Sequence, residues 1–99
     1  MKDPKSVTHW VRPRREVLIY IISVTHGPLG DDGTHLLDTE LPDLARDSGP
    51  VREIHREPGY AIFSFEASEA AGAFLAATRG VAPAAWSITA GALPAVEPA

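Results

Sequence analysis

The chain has 99 residues, no cysteine and a formal net charge of −4. This length excludes a second folded domain, and the absence of cysteine excludes a disulfide framework, a thiolate metal site and a cysteine nucleophile. Because 44% of the residues are hydrophobic, the chain can bury a modest core, which argues against disorder of the whole chain.

The charges are divided unevenly along the chain. Residues 1–16 carry a net charge of +3, whereas residues 17–99 carry −7. The acidic residues 17–99 lack the clustered Lys and Arg that binding nucleic-acid phosphates over a broad surface requires. The longest apolar run, residues 17–22, is far shorter than the roughly 20 residues of a membrane-spanning helix. Together with the lack of cysteine, this leads us to expect a cytoplasmic protein with no membrane partner.

The first half of the chain predicts one strand and one short helix. Residues 1–16 contain prolines and no periodicity, which predicts a basic N-terminal arm. The apolar, β-branched residues 17–24 predict a central strand, and the Gly- and Asp-rich residues 25–34 predict a long loop. A short helix is then predicted, with Thr39 as its N-cap and Pro42 in its first turn. Its core positions recur at helical spacing and are Leu37, Leu41, Leu44, Ala45 and Ser48.

The second half predicts a hairpin, a helix and a last strand. Residues 51–56 and 60–66 flank a turn in which Gly59 can take a positive φ. Ser68 is predicted to cap a helix that ends at Gly80. Residues 86–89 predict the last strand, and the Ala- and Pro-rich residues 91–99 predict a flexible tail. The inward positions of the second helix are predicted to be Ala71, Phe74, Leu75 and Thr78.

This order of elements predicts an α+β fold. A β-α-β-β-α-β order is typical of the ferredoxin-like sandwich, in which two helices cover one face of a four-stranded antiparallel sheet. The domain is predicted to span residues 17–90.

The sequence of residues 59–80 resembles the third strand and second helix of the RNA recognition motif (RRM) family. The family's octamer runs basic, Gly, aromatic, Gly or Ala, aromatic, aliphatic, any, aromatic, and residues 58–65 read Pro-Gly-Tyr-Ala-Ile-Phe-Ser-Phe. Tyr20 stands where the family's first-strand hexamer has its aromatic residue, and the resemblance covers residues 17–90. The chain departs from the family at Pro58, which replaces the basic residue, and at Ile62, which replaces the second stacking aromatic. The first connection is also several residues longer than in the family.

Strand alternation predicts which side chains lie on the face without helices. If Phe63 and Phe65 point to the core, then neighbours on the same strand point away from it. An apolar surface of this kind is more suited to protein than to water or RNA. The predicted binding face consists of Leu18, Tyr20, Ile22, Tyr60 and Ile62.

Three functions are compatible with these residues. The first is a non-catalytic interaction module whose sheet face contacts protein, either in a homodimer or as a subunit of a larger assembly. The second, implied by the resemblance, is weak binding of single-stranded RNA, with bases stacked on Tyr20 and Tyr60. The predicted phosphate contacts of this alternative are Arg52, His55 and Arg56 on the second strand and Arg12, Arg14 and Arg15 in the arm.

The third function is that of a small dimeric ferredoxin-like enzyme, with His26 or His55 as a base. The chain has no Gly-x-Ser-x-Gly elbow and no phosphate-binding glycine loop followed by Lys, so we expect neither an enzyme nor a cofactor. Four side chains near the first loop are chemically suited to bind a metal. Their spacing matches no metal motif, so we expect no metal and interpret them as parts of a polar loop: His26, Asp31, Asp32 and His35.

Overall fold

A computed structural model describes residues 15–97 of the chain. Four antiparallel strands form one sheet in the order β2-β3-β1-β4, so the predicted α+β fold is confirmed and is consistent with the ferredoxin-like sandwich. No helix within these residues is long and apolar enough to cross a membrane. The elements are β1 (Arg15–Thr25), α1 (Asp31–His35), a π-helical turn (Leu36–Glu40), α2 (Leu41–Ser48), β2 (Val51–Glu57), β3 (Tyr60–Phe65), α3 (Ser68–Val81) and β4 (Ser87–Glu97).

The first helical region is longer than predicted. It begins at Asp31 after the N-cap residue Gly30 and continues without a break through the π-helical turn into α2. Asp31 and Asp32 occupy its first turn, where carboxylates interact favourably with the positive end of the helix dipole. The predictions of a loop across residues 25–34 and of an N-cap at Thr39 are therefore wrong, since Thr39 lies inside the π-helical turn.

Pro42 explains why the helical region changes geometry. Proline lacks the N–H that an α-helix needs in its interior, and its ring collides with the carbonyl four residues earlier. The wider π-helical turn ends at Glu40, immediately before α2, which has proline in its first turn. The chain therefore remains helical through this turn, where the sequence predicted a helix start.

The core lies between the helices and one side of the sheet. Phe63 and Phe65 of β3 are fully buried, as predicted, and both rings contact Phe74 of α3. The ring centroid of Phe74 is 4.6 Å from that of Phe63 and 5.4 Å from that of Phe65. The predicted inward positions of both helices are confirmed as buried at Leu37, Leu41, Ala45, Ala71, Phe74 and Thr78. Leu44 and Leu75 are partly buried against the same core, and Ser48 is partly buried at the end of its helix.

Two glycines have positive φ angles. Gly59 has a φ of +93° in the turn between β2 and β3, which confirms the prediction for that residue. Gly49 has a φ of +153° after α2, at the point where the chain passes close to the start of α3. A Cβ atom at Gly49 would lie 2.6 Å from the Cβ of Ala70, so the approach of the two helices requires glycine.

Strands β1 and β4 form a ribbon that is longer than the rest of the sheet. They pair along their whole length, from Arg15 opposite Glu97 to Thr25 opposite Ser87. β3 pairs with β1 only from Tyr20 onward, so residues 15–19 pair with β4 alone. Residues 91–97, predicted to be a flexible tail, belong to this strand because β1 holds them through backbone pairing. Of the predicted arm, Arg15 and Glu16 belong to β1, so the domain begins earlier than predicted, and residues 1–14 lie outside the described residues.

Candidate interaction surface on the sheet

The strand register identifies the two sides of the sheet. Residues directly opposite each other on antiparallel strands point to the same side. Ile22 is opposite Phe63, and both are buried beneath the helices. Ser23 is opposite Ile62, one position along each strand, and therefore lies on the other side. We call this other side the open face, because the described helices all contribute their buried residues to the Phe63 side.

Five apolar side chains lie on three strands of the open face, with Ser23 and Thr25 of β1 and Ser64 of β3 between them, and we call these five the apolar strip. Tyr60 is 39% exposed and Leu93 is 56% exposed, and both are large hydrophobic residues. The remaining members of the strip are partly buried by their neighbours in the sheet. The strip consists of Ile19 and Ile21 of β1, Tyr60 and Ile62 of β3, and Leu93 of β4.

The border of the strip is acidic on one side and neutral on the other. On the β2 side, the register places Glu53, His55 and Glu57 opposite β3 residues of the open face. The Nε2 atom of His55 is 2.8 Å from a carboxylate oxygen of Glu57. On the β4 side, the border consists of Ser87 and Thr89. Among the positions that the described register assigns to this face between Ile19 and Leu93, none is Lys or Arg.

Three of the five predicted binding-face residues lie on the opposite side of the sheet. Ile22 is 1% exposed and belongs to the core, and Tyr20 is partly buried against that core. Leu18 has the same orientation along β1 and is 49% exposed. Only Tyr60 and Ile62 lie on the open face, as predicted.

The error arose because β1 is apolar on both sides over most of its length. Alternation within residues 17–22 therefore could not distinguish the two faces. The end of β1 does distinguish the two faces, because polar Ser23 and Thr25 alternate there with apolar Ile22 and Val24. This pattern assigns the odd-numbered residues, including Ile19 and Ile21, to the open face.

The aromatic pair implied by the RRM resemblance does not form one platform. Tyr60 is opposite Thr25 on the open face, whereas Tyr20 is opposite Phe65 on the helix side. Two rings on opposite sides of a sheet cannot stack successive bases of one strand. The predicted stacking on both tyrosines is therefore contradicted.

The basic residues of β2 are all close to carboxylates. Arg52 donates a hydrogen bond of 3.0 Å to Glu66, and Arg56 donates to Asp38 at the π-helical turn. These exposed pairs contribute little stability, about 0.2–1 kcal/mol each, but they offset the positive charges that RNA phosphates would need. Arg15 begins β1, whereas Arg12 and Arg14 lie outside the described residues.

The structure does not bring the four suggested metal ligands together. The ring of His26 packs beside that of Trp86, with 5.5 Å between their centroids. The Nδ1 atom of His26 donates a hydrogen bond to the backbone carbonyl oxygen of Gly27. The Nε2 atom of His35 lies 3.9 Å from a carboxylate oxygen of Glu40. Across residues 15–97, no group of three or more His, Asp or Glu side chains is placed to hold a metal ion. The other two suggested ligands, Asp31 and Asp32, start α1.

Sequence comparison does not assign this chain to a family. No protein-family model matches this chain, and no curated protein is significantly similar to it in sequence. The resemblance to the RRM family therefore stays a prediction.

Proposed function

We propose that this chain is a non-catalytic interaction module that binds protein through the open face. The observation that supports the proposal is the apolar strip on a side of the sheet that the described helices leave uncovered. Several large apolar side chains that share one exposed face with polar residues are typical of a contact with another protein. The module needs no cofactor for this role.

The exposed members of the strip are suited to such a contact. Removing a large apolar side chain from water contributes about 1.5–3 kcal/mol when burial is complete. Leu93 is 56% exposed and Tyr60 is 39% exposed, so a partner that buries them would gain much of this free energy. Tyrosine is also enriched in protein interfaces, because its ring is apolar and its hydroxyl can remain hydrogen-bonded.

The charge of the open face favours protein over RNA. Affinity for single-stranded nucleic acid comes from stacked bases and from Lys or Arg at the phosphates. Tyr60 is the one Phe, Tyr or Trp that the described register places on this face, and the imidazole of His55 contacts the carboxylate of Glu57. The neighbouring acids Glu53 and Glu57 repel phosphate. Protein binding requires neither stacked bases nor cations.

The proposal is tested by comparing the wild type with the double variant Tyr60→Ser/Leu93→Ser. The first readout is the fluorescence of Nile red, a neutral dye that reports accessible apolar surface. The second is the anisotropy of a labelled mixed pool of short single-stranded RNA at low salt. The matched control is Val81→Ser, since Val81 is 48% exposed at the end of α3 and does not belong to the strip.

We expect the wild type and Val81→Ser to enhance the dye fluorescence and the double variant to reduce the enhancement several-fold. RNA anisotropy should not change with any of the three proteins. Equal dye fluorescence with all three would overturn the proposed role of the strip. RNA binding that disappears at high salt would replace the proposal with the nucleic-acid alternative.

A further inference from the structure

The two edge strands of the sheet differ in their protection against pairing. Natural sheets protect exposed edges with charged side chains, proline or bulges, because unpaired N–H and C=O groups otherwise attract another strand. β2, at one edge, carries two arginines and two glutamates among seven residues. β4, at the other edge, has eleven residues, and its protective residues, Pro94 and Glu97, both lie after its centre, so residues 87–93 carry neither charge nor proline.

The uncharged region extends beyond β4. No Asp, Glu, Lys or Arg occurs in residues 80–96, although 22% of the whole chain is charged. The acids of the chain are instead concentrated on the first helical region and β2. Two copies of the chain could therefore meet along β4 without bringing like charges together.

Pro94 shows which backbone groups of β4 point to the free side. A proline in an edge strand occupies a position whose nitrogen faces away from the neighbouring strand, since it has no N–H to donate. By the alternation of antiparallel pairing, Ile88, Ala90 and Ala92 then direct their N–H and C=O groups away from β1. These three residues form a symmetrical set with Ala90 at its centre.

We infer that two copies of this chain pair through their β4 strands, antiparallel and related by a two-fold axis at Ala90. A two-fold interface uses the same surface of both copies, and the set of residues 88, 90 and 92 is self-complementary in this way. The pairing also places residues 87–89 of one copy opposite residues 91–93 of the other, all of them uncharged.

The pairing goes beyond the proposed function, because it uses the edge of the sheet and leaves the open face free. Joining two sheets of four strands at β4 gives one continuous sheet with both open faces on the same side. The apolar strips of the two copies then lie on one larger surface. A protein partner bound there would contact both copies.

The inference is tested by charge substitution at the two-fold axis, with mass measured by light scattering after size exclusion. Directly opposite residues of an antiparallel pair have Cβ atoms about 4.5–5.5 Å apart, so identical charges at position 90 repel each other. The variants are Ala90→Lys and Ala90→Glu, measured separately and as an equimolar mixture. The matched control is Ala73→Lys, an exposed alanine of α3.

We expect the wild type and Ala73→Lys to have a mass near twice 10.6 kDa. Each Ala90 variant alone should dissociate at least tenfold more readily, and the mixture should restore the dimer because Lys then faces Glu. The restored dimer also shows that both variants are folded.

A monomeric wild type, or a dimer that neither Ala90 variant weakens, would overturn the inference. Tyr60→Ser distinguishes this failure from a failure of the proposed function. If Tyr60→Ser dissociates the dimer and the Ala90 variants do not, two copies meet through the open face instead, which overturns the edge pairing while supporting the protein-binding role of that face.

Discussion

The packing of α2 against α3 depends on the absence of a Cβ atom at Gly49. Its φ of +153° is rare for residues with a side chain, and a Cβ there would lie 2.6 Å from the Cβ of Ala70. The sequence predicted only that a Gly-Pro pair ends the helix. The requirement for glycine comes from the neighbouring helix, which lies about twenty residues later in the chain.

We expect Gly49→Ala to lower the free energy of unfolding by roughly 2–4 kcal/mol, because it adds backbone strain and a steric clash. Gly72→Ala is the matched control, since Gly72 is exposed in α3 and a Cβ there would meet no atom within 4 Å. That control should gain about 0.5–1 kcal/mol from higher helix propensity. Denaturant unfolding measures both values. Equal stability of the two variants would contradict the described approach of the helices.

β4 is the element in which local propensity and tertiary structure disagree most. Its central residues are Ala, Gly and Ala, which have little preference for strands, and Pro94 follows them. Composition alone therefore predicted a flexible tail from residue 91. The strand continues to Glu97 because β1, which is strongly strand-forming, supplies a partner for every residue of β4.

We expect a chain that ends at Ala90 to be less stable than a chain that ends at Glu97. The shorter chain leaves residues 15–21 of β1 without partners from β4. Because each lost backbone hydrogen bond costs about 0.5–1.5 kcal/mol, the free energy of unfolding should fall by roughly 2 kcal/mol or more. Thermal and denaturant unfolding measure the difference. Identical stability of the two chains would show that the residues after Ala90 behave as the tail that composition predicted.

At the scale of the whole molecule, the charged residues lie away from the β4 edge. This placement determines how the proposed pairing of two copies responds to salt. The net charge of −4 makes two copies repel each other at long range, whereas the proposed contact between them is uncharged. Salt screens exposed charges over about 10 Å at an ionic strength of 0.1 M. Screening therefore removes repulsion without weakening the contact.

We expect the dimer dissociation constant to fall a few-fold, or to stay constant, when salt is raised from about 50 mM to about 500 mM. Binding to nucleic acid would have the opposite sign, because salt weakens contacts between cations and phosphates. Sedimentation equilibrium of the wild type at the two salt concentrations provides the measurement. A dimer that dissociates as salt rises would mean that charged contacts hold it together, contrary to pairing at β4.

The sequence by itself determined the class of fold, the order of the elements, the aromatic core around Phe63 and Phe65 and the turn at Gly59. These features follow from local periodicity and turn chemistry, which act over a few residues. Only the tertiary structure decided which side of β1 faces the helices, because both sides are apolar and a shift of one residue exchanges them. It also decided the length of β4, whose residues adopt a strand because β1, some seventy residues earlier in the chain, lies beside them.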